Sequence, residues 1–598
     1  MTIEDDILKS AFSNEAAIYD ETTHYLLLDY DLLLNETIKK IGYPSDAEFK
    51  ILDLGCGTGN LVRLIREKYC NADVYALDFS DTMLEVFRKK DVSNIHYISA
   101  DMFKLEEEHL PFFDVIVSSF VFHNFESISD HNRIFKLMNN HLSVNGSIII
   151  TDLIDFANPH KRKNYQAKLV NAMKAYELSN DEIIRWMGIL EMEDSPLTVE
   201  NNCFLMHENN FENINFSLFE NSGSAIFTGK KKTNYMQLKL ELLFNGVKEN
   251  EFVKRLYIHQ NPQQVWKTGN NGVFLTINGL DVLVGINHED NRCSPYEVDE
   301  CDGVIVIKKN DVIVARNVSY MKPPEWFYSN IRTLNDRPFS DFFVLEGERY
   351  LHLAYKGCSF EEKDKCKFCS TERRKEANDN DADDVCEAIR WVIEDLPDNI
   401  HICLGGGTYI PFEDNVLYFS KIIRCIRMKR IDIPIWIECI PPKIEDIDRL
   451  ISDGATGFGF NIEVWDEEKR KVICPGKSIV SKEEYITALK YAVERLGANK
   501  VGSCIIVGLD SYDNIKSAID SLVKIGVEPC ILPYKKYDET NMTNFPISAG
   551  YQYDFYRLSK YASWVSENHN VIFENNQGCL KCTCCTIMHD IQKIGKYT

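Results

Sequence analysis

Short apolar strands alternate with helical stretches in two separate blocks of this chain, and that alternation limits the fold more than any other feature. In the first block, residues 1–234, the strand-like runs are "FKILDLGCG", "DVYALDFS", "IHYISAD", "FFDVIVSSFVF" and "GSIIITDLI". In the second, residues 346–575, they are "YLHLAYKG", "IHICLGGG", "IPIWIECI", "GFGFNIEVW", "VGSCIIVGLD" and "EPCILPYKK". Helical patterns such as "SKEEYITALKYAVERLG" lie between. Parallel strands need long crossovers, usually helices, so the pattern predicts an α/β class with parallel sheets. Six βα units in a row in the second block suit an open or partial (β/α)6 barrel of the TIM-like kind.

Between the blocks, residues 235–345 change character. "GVFLTINGLDVLVGIN" and "GVIVIKKNDVIVARN" are β-branched runs broken by turn residues, the second a hairpin candidate with "KKND" (308–311) at its tip. This reads as a small β-rich domain whose role is not legible. Residues 576–598 form a cysteine-rich tail.

Composition narrows the function classes. The net charge is −24, which argues against general electrostatic binding to nucleic acid or an anionic membrane. No apolar run approaches the roughly 20 residues needed to cross a bilayer. "MTIEDDILKS" lacks the basic start and apolar core of a signal peptide, so a cytoplasmic protein is expected. In that compartment 19 cysteines are not a disulfide framework. Many are core residues, but those gathered at metal-ligand spacing need another account.

"LDLGCGTGN" (52–60) follows a strand and opens a helix. Glycines there let backbone pass close to a ligand, and the helix start offers free N–H groups. Asp78 ends the next strand, where an acidic side chain can take two hydrogen bonds from a ribose diol. Asp101 ends the third and is placed to meet an adenine amino group. This ordered set resembles a class I S-adenosylmethionine-dependent methyltransferase with a Rossmann-like fold, over residues 35–155. The resemblance implies that Asp53, Gly55 and Gly57 line the methionine part, Asp78 the ribose and Asp101 the adenine. It also likens residues 12–31 to the helical lid of small-molecule methyltransferases. His123 and Asn124, after the fourth strand, are candidates to face the acceptor; for His123 a packed loop residue is an equal reading.

"GCSFEEKDKCKFCS" (357–370) gathers Cys358, Cys366 and Cys369. Four thiolates would read as structural zinc, whereas three on one loop leave a metal position open. The loop follows the first strand of the second block, and active sites of barrels sit at the C-terminal ends of their strands. The arrangement resembles the radical S-adenosylmethionine superfamily, in a variant with seven residues rather than three between the first two cysteines. The resemblance implies a [4Fe–4S] cluster on the three thiols and S-adenosylmethionine on its open iron. It extends to "LGGGT" (404–408), which puts Gly405, Gly406, Gly407 and Thr408 near the methionine amino group. Asn461 and Glu463 would reach the ribose or carboxylate, and Gly508 would stand beside the adenine. The implied chemistry is reductive cleavage to a 5′-deoxyadenosyl radical, fed by a flavodoxin- or ferredoxin-type donor. A zinc knuckle closed by His352, Cys386 or the tail is the alternative.

The tail, "GCLKCTCC", places Cys579, Cys582 and Cys585 at ligand spacing, with Cys584 between. An auxiliary iron–sulfur cluster comes first, structural zinc second and a redox pair third. His589 nearby reads as idle. The expectation for the whole chain is a bifunctional enzyme with two S-adenosylmethionine sites, joining methyl transfer to radical chemistry on a small metabolite or natural-product precursor. Alternatives are a peptide substrate with the first block as a binding module, and a zinc-stabilised scaffold.

Overall fold

The computed structural model describes every residue except 1–18, 126, 157–158, 194, 261–271, 287–293, 324, 329–330, 340–341, 346–349, 355–357, 370–381, 397–399, 406, 409–411, 431, 536–541, 543–549, 572–576 and 596–598. Contacts divide the chain into two compact units, Met1–Asn234 and Tyr235–Thr598.

The first unit is built on one seven-stranded sheet in the order β3-β2-β1-β4-β5-β7-β6. Its strands are β1 (Lys50–Leu54), β2 (Asp73–Asp78), β3 (Ile95–Ser99), β4 (Phe113–Ser119), β5 (Leu142–Leu153), β6 (Phe211–Phe219) and β7 (Ser224–Lys231). β1 to β5 pair in parallel, while β7 runs antiparallel to both β5 and β6. The side-chain period of two sends Ile51 to one apolar layer and Leu52 to the other. Both layers are buried, as a doubly covered parallel sheet requires. Burying each such side chain is worth about 1.5–3 kcal/mol. The strand order reverses between β1 and β4, and the crevice at such a switch point is where ligands of open α/β sheets bind.

The second unit opens with helices Tyr235–Asn245 and Glu251–Gln260. Two three-stranded sheets follow, β13-β8-β9 and β10-β11-β12. The strands are β8 (Gly272–Ile277), β9 (Leu280–Gly285), β10 (Tyr296–Cys301), β11 (Val304–Lys309), β12 (Val312–Ala315) and β13 (Val318–Tyr320). The "KKND" hairpin is present, with its turn at Asn310 and Asp311, both at positive φ (47° and 66°).

The larger sheet runs β14-β15-β16-β17-β18-β19-β20. Its strands are β14 (Phe343–Leu345), β15 (Tyr350–Ala354), β16 (His401–Gly405), β17 (Ile435–Glu438), β18 (Gly457–Gly459), β19 (Val501–Val507) and β20 (Glu528–Pro533). β15 to β20 are parallel and β14 joins antiparallel. The six βα units are thus there. Their order is linear, with β14 and β20 as edges, so a closed TIM barrel is not seen among the described residues. Local signals fix the helices: Ser481 and Glu484 form a reciprocal capping box on Lys482–Leu496. Among the described residues one disulfide occurs, Cys386–Cys425, where two packed helices bring the Cα atoms to 5.7 Å. That bond removes Cys386 as a zinc ligand for the loop.

Candidate functional sites

In the first unit the glycine loop leaves β1 at the switch point. Gly55 has φ +81°, and a Cβ there would stand 2.5 Å from Val121 Cγ2, so no side chain fits. Gly57 N–H donates to Asp78 Oδ2 at 2.8 Å, and Ser80 N–H to Asp78 Oδ1 at 2.9 Å. Burial pushes the Asp78 carboxyl up, against these bonds. Asp53 is fully buried, and neither of its oxygens has a hydrogen-bond partner among the described residues. Burial, with the charge of Asp78, pushes its pKa up to about 8. An orphaned buried carboxylate is expensive, and a cationic ligand group such as an amino acid ammonium would satisfy it. The donor set therefore fits S-adenosylmethionine. Asp101 is exposed and accepts from Phe103 N–H at 2.9 Å, capping its own turn.

Helix Tyr19–Leu26 supplies a contact that sequence reasoning did not name. Asp20 accepts from Thr58 Oγ1 at 2.5 Å and Asn60 Nδ2 at 2.9 Å, and pairs with Lys90 at 2.7 Å. Burial works against the Asp20 charge, but these three partners together pull its carboxyl below the usual range. The helix is thereby tied to the glycine loop; residues 12–18 of the expected lid lie outside the described residues.

His123 is buried and meets Asp152, at the end of β5, through Nδ1 at 2.6 Å. Asp152 also accepts from the N–H groups of Val121 (2.8 Å) and Phe122 (2.6 Å). With Nδ1–H donated to the carboxylate, His123 Nε2 accepts from Asn124 Nδ2 at 3.2 Å. Asp152 was not singled out from sequence; its signal is an acidic residue in "TDLID" at the end of the fifth strand.

In the second unit the thiol loop is pinned by backbone to the segment after β16 and to the end of helix Glu467–Ile473. Ser359 N–H donates to Thr408 O and Lys367 N–H to Ile473 O, each at 2.8 Å. Cys358 Sγ stands 3.9 Å from Thr408 O, beyond the C-terminal end of β16. Cys366 and Cys369 pack in an apolar group with Val464, Ile506, Tyr534 and Met542, beside Phe368. Three soft donors on one pinned loop, two of them in apolar surroundings, fit an iron–sulfur cluster. Gly407 and Thr408 border a cleft with Asn415, Cys439 and Ile440; Gly406 lies outside the described residues.

Glu463 turns toward the loop. Its carboxylate lies within 4.8 Å of Cys366 Sγ and of Cys474 Sγ, and it pairs with Lys477 at 2.7 Å. A hydrogen bond from Cys474 is the chief influence pulling the Cys366 thiol down, and the Cys474 thiol rises in turn. Burial disfavours the Lys477 ammonium, yet Glu463 and Cys366 more than offset it. Neither Cys474 nor Lys477 was named from sequence, since nothing local links "ICPGK" to the loop. Asn461 Oδ1 accepts from Cys504 N–H at 3.0 Å, a structural use. Gly508, with φ +99°, lies next to Tyr534 at the end of β19. Of the tail cysteines, Cys582 packs with Cys403, Trp436, Cys504 and Cys530, Cys584 is buried, and the Cys579 side chain lies outside the described residues. His589 is not idle, since it meets Glu528 at 3.0 Å.

Residues 51–146 match the family model described as methyltransferase domain, and residues 354–523 match the radical SAM superfamily. The chain joins a methyltransferase domain to a radical SAM domain. Both are enzyme domains; the first implies S-adenosylmethionine binding, and the second implies a [4Fe–4S] cluster with S-adenosylmethionine. The first domain is similar to malonyl-[acyl-carrier protein] O-methyltransferase of Bacillus anthracis, at 23% identity over 213 residues, covering 34% of this chain and 75% of that protein. The same enzyme of Priestia megaterium is 32% identical over 136 residues, 23% of this chain and 47% of its own length. Demethylmenaquinone methyltransferase of Thermotoga maritima is 28% identical over 162 residues, 26% and 65%. Among solved structures, magnesium protoporphyrin IX methyltransferase of Synechocystis PCC 6803 covers 34% of this chain and 83% of its own, with 13% identity and a TM-score of 0.25. Among the described residues no helix is long and apolar enough to cross a membrane.

Proposed function

We propose that the chain carries out two reactions: methyl transfer in the first unit and hydrogen abstraction by radical chemistry in the second, on a small metabolite or natural-product precursor. The observation that carries the reading is the pair of unlike cofactor sites, an orphaned Asp53 at a glycine loop and a pinned trio of thiols at parallel strand ends. In the first site Asp53 would pair with the cofactor's ammonium, Asp78 would hold the ribose and Asp101 the adenine. Asp152 fixes the His123 ring through Nδ1, so that Nε2, which accepts from Asn124 Nδ2, would meet an acceptor proton in exchange for that bond.

In the second site Cys358, Cys366 and Cys369 would hold the cluster. Bound there and reduced, it supplies one-electron chemistry to S-adenosylmethionine. The apolar shell of Val464, Ile506 and Tyr534 keeps water from the site, and the Glu463–Lys477 pair keeps its added charge balanced. The electrons would come from a flavodoxin- or ferredoxin-type donor.

Anaerobically reconstituted protein, incubated with candidate extract, tests this. 5′-deoxyadenosine and S-adenosylhomocysteine are followed separately, and both are expected. Protein that makes 5′-deoxyadenosine but never S-adenosylhomocysteine would reduce the first unit to a binding module.

A further inference from the structure

We infer that the second unit holds a further iron–sulfur site, built from Cys403 of β16, Cys504 of β19, Cys530 of β20 and Cys582 of the tail. These four side chains share one packed group with Trp436 of β17 and Leu532 of β20. Four of its six members are thiols, whereas the first unit's two cores hold a single buried cysteine, Cys56, among mainly Leu, Ile, Val and Phe. Cys403, Cys504 and Cys530 are buried, and none of the four is in a disulfide. The group is separate from the one that holds Cys366 and Cys369.

Strand register explains how residues so far apart in sequence meet. Cys504 and Cys530 are direct partners across β19 and β20, and Cys403 is the partner of Trp436 across β16 and β17. β18, between them, presents glycines to this face: a Cβ on Gly457 or Gly459 would stand 2.6 or 2.8 Å from the Trp436 ring. The tail is held so that Cys582 reaches the same face. Thr456 Oγ1 donates to Gln577 Oε1 at 2.6 Å. Gly578 has φ +66°, and Trp436 would lie 2.5 Å from a Cβ there. Lys239 Nζ donates to Thr583 O at 2.8 Å and pairs with Asp590 at 2.6 Å, both side chains buried. Leu283 N–H donates to Cys584 O at 3.0 Å. These bonds tie the segment that carries Cys582 to helix Tyr235–Asn245 and to β9.

The donor chemistry selects the ligand class. Thiolates suit iron–sulfur clusters, zinc and cuprous ion. A lone tetrahedral ion, with bonds near 2.3 Å, would draw its sulfurs to about 3.8 Å from one another. Among the described residues, the donors that lie within 4.8 Å of one another are Cys366, Glu463 and Cys474, not these four. A cluster binds its thiolates on separate irons and suits the wider set. Each thiol gives up its proton on ligation, and iron and sulfide come from outside. The site goes beyond the proposed function and does not depend on which radical reaction occurs.

Full-length protein reconstituted with ferrous iron and sulfide tests it. A Cys358→Ala/Cys366→Ala/Cys369→Ala variant is expected to stay brown and keep on the order of half the iron and sulfide. Adding Cys504→Ser and Cys530→Ser should remove the remainder. Cys504→Ser/Cys530→Ser alone should keep a reduced-state paramagnetic signal that responds to S-adenosylmethionine, which reports a folded unit. If the strand variants do not fold, Cys582→Ser replaces them and is expected to change the residual cluster's spectrum. The inference is overturned if the loop variant is free of iron and sulfide, if zinc takes their place, or if iron persists unchanged after Cys504, Cys530 or Cys582 is replaced. Residual iron in the loop variant, with no S-adenosylmethionine response in the unmutated protein, would sink the radical reading and leave this one standing.

Discussion

The two units prepare for the same cofactor by opposite physical means. The first holds a buried carboxylate, Asp53, with no partner of its own, next to a second, Asp78, that is hydrogen-bonded by Gly57 and Ser80. Burial holds the Asp53 carboxyl protonated up to about pH 8, until a cationic group arrives to pair with its ionised form. The second gathers thiols and balances its buried charge internally, through Glu463 and Lys477. An ordinary nucleophilic substitution needs a positioned sulfonium and an oriented acceptor, so a polar crevice suffices. One-electron chemistry on an iron–sulfur cluster needs thiolate ligands and exclusion of water, so soft donors and an apolar shell replace it.

The contrast can be broken in order of size. Cys366→Ala should abolish 5′-deoxyadenosine while S-adenosylhomocysteine continues; assayed together, a parallel loss of both would merge the two sites. Asp78→Ala should weaken S-adenosylmethionine binding to the first unit about a hundredfold or more, since charge-assisted hydrogen bonds are worth roughly 1.5–3 kcal/mol each. Calorimetric titration reads this, and 5′-deoxyadenosine output should be unchanged. Asp152→Asn should slow methyl transfer about tenfold by freeing the His123 ring, with cofactor affinity kept; an unaltered rate would make His123 a packing residue.

A separate effect concerns pH. Asp53 has its pKa pushed up to about 8, so between roughly pH 4 and 8 the folded, ligand-free protein binds a proton that the unfolded chain does not. Its stability should therefore fall as pH rises through that window, and Asp53→Asn should flatten the fall. Cofactor binding, which needs the carboxylate ionised against an ammonium, should release a proton and tighten toward pH 8. Thermal melts and titrations in buffers of different ionisation heat check both.

What was legible in the sequence was local. The glycine loop, Asp78 and the six strands of the second block announce themselves within a few residues, because turn chemistry and strand period act over short range. The return of β7 between β5 and β6 was not legible, since pairing order depends on the packing of whole layers. Nor was the His123–Asp152 pair, which exists because β4 and β5 are neighbours. Cys474 is 108 residues beyond Cys366 and meets it only through the helix that follows β18. Cys403, Cys504 and Cys530 each read alone as small core residues, and only strand register brings them to one face.

The central claim is that Cys358, Cys366 and Cys369 carry a cluster whose remaining iron is open to S-adenosylmethionine. Electron paramagnetic resonance of the reduced, reconstituted protein, with and without the cofactor, addresses it directly. A signal that changes on addition of S-adenosylmethionine, and that disappears in Cys366→Ala, is the predicted result. A signal indifferent to the cofactor, or a colourless protein holding zinc at the loop, would contradict it.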